Sequence, residues 1–165
     1  MKQYKFLVDD VQFRMVKEED IPAIFAYGQK PVVVKFLPWG PVTSIKETEA
    51  FYQSVKDDTN VWSILYKRKM IGTVSCVKIS HENKHLFIGY VIDNEYWNLG
   101  IGLYAVKIFL AYLKEKYPDY QIYAEAVKHN YASINLLLKA GFCHVSDFNI
   151  IQKNKPTIKS LFQLK

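Results

Sequence analysis

Apolar positions along the chain change period several times, and each change marks an element. Phe13, Arg14, Met15 and Val16 alternate apolar and polar, the period-two signature of a short strand. Glu18, Glu19 and Asp20 then precede Ile21, Pro22, Ala23, Ile24 and Phe25, which reads as a helix with acids in its first turn, where they oppose the positive end of the helix dipole. Three prolines with Trp39 and Gly40 make 31–41 a loop, and Ser44 with Glu47 forms a capping box ahead of a helix running to Asp57. Stretches 61–66 and 70–79 are rich in strand-forming residues and flank Lys67, Arg68 and Lys69, a hairpin with a charged turn. A further strand at 86–92, across the polar turn of Glu82, Asn83 and Lys84, completes an antiparallel meander. Residues 100–116 form a helix apolar on most faces, and it ends at Tyr117 because the residue before Pro118 avoids helical angles. The strand at 121–127 follows a helical crossover and is therefore expected parallel to the one before it. A last helix covers 131–140 with Gly141 as its stop, and two strands near 143–149 and 157–164 finish the chain. The pattern predicts a mixed α/β fold in one domain, 1–165, with a central β–α–β–α unit.

Composition narrows the partners. With 165 residues, half of them apolar, the chain has enough material for one buried core and no second cofactor domain. The net charge of +6 points to an anionic partner, but its distribution matters more: 1–82 carries +2, 83–148 carries 0, and 149–165 carries +4. Only Arg14 and Arg68 are arginines, and arginine is the residue most used to read bases, so a nucleic-acid-reading face is poorly supported. Residues 1–9 hold no apolar run long enough for a signal peptide, and no stretch is long and apolar enough to span a membrane. A cytoplasmic protein with Cys76 and Cys143 as reduced, buried thiols is expected.

Two motifs mislead. His81, Glu82 and His85 fit the zinc-binding His-Glu-x-x-His pattern, which needs a helix to bring both imidazoles to one face; here the residues sit in a turn between strands, so no metal is expected. Gly100, Gly102 and Ala105 fit a dinucleotide fingerprint, but seven residues separate Gly100 from the preceding strand and the strand order is wrong for that fold. The phosphate physics remains: two glycines leading into a helix let backbone N–H groups face an anion. A plain tight turn would look the same, and these residues alone leave both readings open.

The strand Ile88, Gly89, Tyr90, Val91, Ile92, then Trp97-x-x-Gly100-x-Gly102, then Asn130-x-x-Ser133 and Lys139-x-Gly141-Phe142 occur in one order and spacing. That combination resembles the GNAT superfamily of acetyl-CoA-dependent N-acyltransferases. Phe13, Arg14 and Met15, with Phe36, Leu37, Pro38, Trp39 and Pro41, are similar to the branch acting on ribosomal-protein N-termini.

The resemblance implies a GNAT-like fold, an antiparallel N-terminal meander followed by a core whose central strands, 86–92 and 121–127, splay to admit the pantetheine arm of acetyl-CoA. The arm would bond to backbone at Val91, Ile92 and Asp93, with the pyrophosphate on the N–H groups of Asn98, Leu99, Gly100, Ile101, Gly102 and Leu103. Asn130 would hold the arm, and Ser133 would lie near the thioester sulfur as a proton donor to the leaving thiolate. A primary amine, either a protein N-terminus or a small molecule, would attack the thioester directly, approaching across Tyr27, Phe36, Trp39 and the helix of 45–57. Three positions depart from the family pattern. Leu86 and Phe87 stand where many relatives carry a carboxylate, Leu137 stands where many carry a tyrosine acid, and Asn98 and Leu99 replace a glycine and a basic residue. The base is thus sought among His85, Asp93 and Glu125. A non-catalytic acyl-CoA-binding or nucleic-acid-associated module, using 149–165, is the alternative; a homodimer is left open.

Overall fold

A computed structural model describes residues 10–165; the 1–9 segment, read above for a leader, lies outside the described residues. The elements run β1 (Val11–Met15), a 3₁₀ turn (Glu18–Asp20), α1 (Ile21–Gly28), α2 (Pro31–Val34), α3 (Ile45–Val55), β2 (Val61–Tyr66), β3 (Lys69–Ser80), β4 (His85–Ile92), a second 3₁₀ turn (Asn94–Tyr96), α4 (Ile101–Lys116), β5 (Gln121–Val127), α5 (Tyr131–Lys139), β6 (Phe142–Gln152) and β7 (Lys155–Leu164). The seven strands form one sheet in the order β1-β2-β3-β4-β5-β7-β6. Only β4 and β5 pair in parallel, as their helical crossover requires.

Strand alternation divides the apolar residues between two faces. On one face α4 lays Ala105, Val106, Phe109, Leu110 and Leu113, at helical spacing, over Ile64, Ile71, Val74, Leu86, Ile88, Ile122 and Ala124. On the other, Ile24 and Tyr27 of α1 and Val33 of α2 cover Val16, Val61 and Met70. Arg14 pins the first turn to the sheet: its guanidinium makes a two-pronged pair with Asp20, at 2.7 and 2.8 Å, while the Lys17 amide and Ser63 Oγ also donate to that carboxylate. Burial opposes the Asp20 charge, but these donors more than offset it and hold the carboxyl below its ordinary value.

Several expectations need correction. Part of the expected 31–41 loop is helical, because Pro31 occupies the first helical position, where its fixed φ fits and its missing N–H is not needed. The last two strands are longer than 143–149 and 157–164, since Lys153 and Asn154, at φ +52° and +60°, close a two-residue hairpin turn without glycine. The basic 149–165 segment is no appendage: β7 lies between β5 and β6, paired to both. Cys76 and Cys143 are free and only half-buried. No helix among the described residues is long and apolar enough to cross a membrane.

Candidate active site

The parallel pairing of β4 with β5 stops at Ile88 and Ala124. Beyond that point β4 stays on β3 as far as Ile92, and β5 stays on β7 as far as Val127, so the two strands part while each keeps its outer neighbour. The Asp93 N–H donates across to Ile71 O at 2.8 Å, which by alternation turns the N–H and C=O of Tyr90 and Ile92 toward the split. Trp97 Nε1 donates to Ile92 O at 2.8 Å. The ladder leaves the other groups of Tyr90 and Ile92 unpaired, a cleft edged by backbone that needs hydrogen-bond partners.

The chain leaves β4 through the 3₁₀ turn and reaches α4 by two left-handed residues, Asn98 (φ +61°) and Gly100 (φ +78°). Asparagine tolerates that region better than most residues, which explains how it stands where relatives have glycine. Gly100 is the N-cap of α4 and no side chain caps the helix, so the amides of Ile101, Gly102 and Leu103 keep free N–H groups at the positive end of a 16-residue helix. A Cβ on Gly102 would lie 3.1 Å from both Ile92 Cδ1 and Leu136 Cδ1, so the loop is packed closely against the end of β4 and α5.

Asn130 caps α5, its side chain accepting the Ser133 N–H at 3.3 Å. Ser133 Oγ lies 2.7 Å from the Tyr90 hydroxyl, a hydrogen bond that joins the free part of β4 to the first turn of α5. Burial pushes the Tyr90 phenol up to about 12, against the opposing effect of the Ser133 hydrogen bond. Tyr90 is not among the candidate site residues that the sequence offers. The signal was in the alternation, which puts Tyr90 on the same face as Leu86 and Ile88, under the helices. Leu137, at the expected tyrosine position, is 1% exposed and is core.

The candidate bases are dispersed. His85 sits at the closed, paired end of the split with its ring against Tyr123, whereas Glu125 is the first residue of β5 beyond the last pair. Glu125 accepts Lys159 Nζ at 3.2 Å. Asp93 caps the second 3₁₀ turn and accepts Lys30 Nζ at 2.6 Å, and this bond raises the Lys30 pKa. Tyr27 is buried, its phenol raised by desolvation, so it belongs to the core instead of an acceptor wall. His81 bonds to the Tyr120 hydroxyl at 2.8 Å.

A sheet with one parallel pair that splays above an uncapped glycine-led helix is the arrangement expected from the resemblance, and the sequence matches the family described as Acetyltransferase (GNAT) domain over residues 10–143. The chain belongs to the GNAT acetyltransferase family. Over 136 residues it is 27% identical to an uncharacterized N-acetyltransferase, p20, of Bacillus licheniformis, covering 78% of this chain and 76% of that protein. Its fold is similar to that of a GNAT acetyltransferase from Bacillus anthracis, with a TM-score of 0.85, 20% identity and 94% of each chain covered. It is also similar to a ribosomal L7/L12 α-N-protein acetyltransferase solved with coenzyme A, with a TM-score of 0.82, 18% identity and 93% of each chain covered. As a GNAT protein the chain is an acetyl-CoA-dependent acyltransferase of the class that N-acetylates amines.

Proposed function

We propose that this GNAT protein transfers acetyl from acetyl-CoA to a primary amine held at the open end of the β4–β5 split. The observation that carries the reading is the split itself: pairing that ends at Ile88 and Ala124, with the backbone groups beyond it unpaired and an uncapped helix N-terminus close by. The unpaired groups suit the two amides of a pantetheine arm, and the free N–H groups from Asn98 through Leu103 suit a pyrophosphate. Acetyl-CoA supplies the acyl thioester.

In this reading the Ile92 N–H supports the developing oxyanion, while Asn130 keeps Ser133 and the cofactor arm in register. Ser133 donates its proton's hydrogen bond to the departing sulfur and itself accepts from Tyr90, so the two hydroxyls act in series. The attacking ammonium, with an ordinary pKa of about 10, must first lose a proton. Glu125 takes that role directly or through water, being the carboxylate at the beginning of the split, and its bond to Lys159 must open for it to do so. Asp93, already occupied by Lys30, contributes backbone and anchors the loop beside it. The free cysteines favour a reducing compartment, and we place the enzyme in the cytoplasm.

Calorimetry with acetyl-CoA, paired with an assay of free CoA thiol released to a panel of amines and peptides, tests this. Binding with acceptor-dependent thiol release is expected, and Gly102→Trp should abolish both by filling the space before Ile92 and Leu136. Binding without thiol release to any acceptor would leave the acyl-CoA-binding module as the better account.

A further inference from the structure

The segment between α1 and α3 forms an arch over the split. At one foot Lys30 Nζ bonds Asp93 Oδ1 at 2.6 Å and Glu95 Oε1 at 3.0 Å, both just past the end of β4. At the other, the β6–β7 turn holds the carbonyls that follow α2: Gln152 Nε2 donates to Phe36 O and Leu37 O, at 3.2 and 3.1 Å, and Lys153 Nζ donates to Val34 O and Lys35 O, at 2.8 and 3.3 Å. Since β4 and the β6–β7 pair lie on opposite sides of the gap, an arch fixed to both passes across its mouth.

The charges on this arch are one-sided. Residues 29–43 contain no acid, and the turn reads Gln152, Lys153, Asn154, Lys155. Asp93 and Glu95 are occupied by Lys30, Glu125 by Lys159, Asp147 by Lys128, and Glu47 by the Thr43 and Ser44 amides in its capping box, while Glu49 stands exposed elsewhere on α3. Lys35, Lys153 and Lys155 have no acidic partner among the described residues; the Lys35 ammonium stands 5.0 Å from the Phe36 ring and that of Lys153 rests on backbone carbonyls. On the same turn Gln152 Oε1 is buried without a donor, although its amide nitrogen is doubly bonded. A polycationic acceptor would meet three like charges at this foot of the arch. An acceptor with an anionic group beside its amine meets these ammonium groups as attractive partners instead.

We propose that the acceptor is a primary amine carrying a carboxylate or phosphate, bound through Lys35, Lys153 and Lys155 beneath the arch. This rests on the acetyltransferase reading above. In salt-screened water each exposed ammonium is worth about a twofold preference for the anion, and three together on the order of tenfold, diminishing further with salt.

The test compares kcat/KM at low and high salt for 2-aminoethyl phosphate, an α-amino acid, an uncharged-tail alkylamine, spermidine, and a peptide pair with Asp or Lys at the second position. The anionic members should exceed the alkylamine and spermidine by about tenfold at low salt and lose the advantage at high salt. The best among phosphate, carboxylate and acidic peptide identifies the source of the anion. Lys35→Glu combined with Lys155→Glu should shift the preference toward spermidine while acetyl-CoA binding by calorimetry stays intact. Equal or better use of spermidine by the wild-type enzyme, an unchanged preference in the double variant, or acetyl-CoA binding with no turnover of any anionic acceptor overturns the proposal while leaving the donor site standing. Failure to bind acetyl-CoA at all would instead remove the acetyltransferase reading beneath it. Should the double variant not fold, the wild-type acceptor ranking and its salt dependence decide the matter alone.

Discussion

Removing the hydroxyls of Tyr90 and Ser133, singly and together, separates a working relay from two independent packing contacts. The hydroxyls lie 2.7 Å apart, and among the described residues the Tyr90 oxygen has one other partner, the Ser133 carbonyl at 3.4 Å. Tyr90→Phe or Ser133→Ala should therefore lower stability by about 1 kcal/mol each, and the double variant by little more than either, because one hydrogen bond is being removed twice. The kinetic effect should be larger. If Ser133 donates toward the thiolate while accepting from Tyr90, either variant loses the series, and kcat should fall on the order of tenfold to a hundredfold with acetyl-CoA affinity nearly unchanged. The double variant should again be close to the worse single one. Because burial raises the phenol to about 12, the donor persists beyond pH 10, so wild-type kcat should not fall where an ordinary tyrosine ionises. Thiol-release kinetics across pH, with calorimetric affinities for all four proteins, supply every term of the cycle. Rate losses that multiply in the double variant, or a Ser133→Ala enzyme with undiminished kcat, would refute the relay.

The remaining predictions concern the frame around the site. Asp20→Asn should destabilise by about 3 kcal/mol in denaturant unfolding, since it leaves the Arg14 guanidinium without its buried counter-charge. The Asp20 carboxyl is lowered in the folded state, so its contribution is full above the ordinary carboxylate range and is lost as pH falls through the folded value; the variant should flatten the acid limb of stability against pH. Gly72→Ala should destabilise by about 2 kcal/mol or more in urea unfolding, because a Cβ there runs into the Val91 carbonyl, backbone that cannot swing away. Glu125→Gln should lower kcat in the thiol-release assay, with little change in acetyl-CoA affinity by calorimetry. Truncation after Asn149 should abolish cooperative melting followed by circular dichroism, since it removes the strand between β5 and β6.

What was legible in the sequence follows the range of the interaction that creates it. The Ser44 and Glu47 capping box, the helix stop at Gly141 and the helix end before Pro118 are contacts within a few residues, and each appears in the structure where the pattern put it. The crossover that makes β4 and β5 parallel was legible too, because handedness and connection length leave few alternatives. The features that complete the site are of another kind. Tyr90 meets Ser133 across 43 residues, Lys30 meets Asp93 across 63, and Lys153 meets Val34 across 119. No period or spacing encodes those meetings, and the last depends on β7 inserting between β5 and β6, an order that hairpin signals alone do not reveal.

That difference in range changes the meaning of the charge. In the linear sequence the +4 of residues 149–165 stands apart from the neutral segment holding the phosphate loop, and looks like a basic end suited to a polyanion. Folding makes most of that end a sheet strand and a turn, pairs Lys159 with Glu125, and brings Lys153 and Lys155 to the foot of the arch with Lys35. In the proposed reading the basic residues thus lie away from the donor side, where neutral backbone amides serve the pyrophosphate, and at the acceptor side, where nothing in the local sequence suggested a charge preference. An anionic partner inferred from net charge and one inferred from the folded site are thus different molecules: the first would have been the cofactor, and the second is the acceptor.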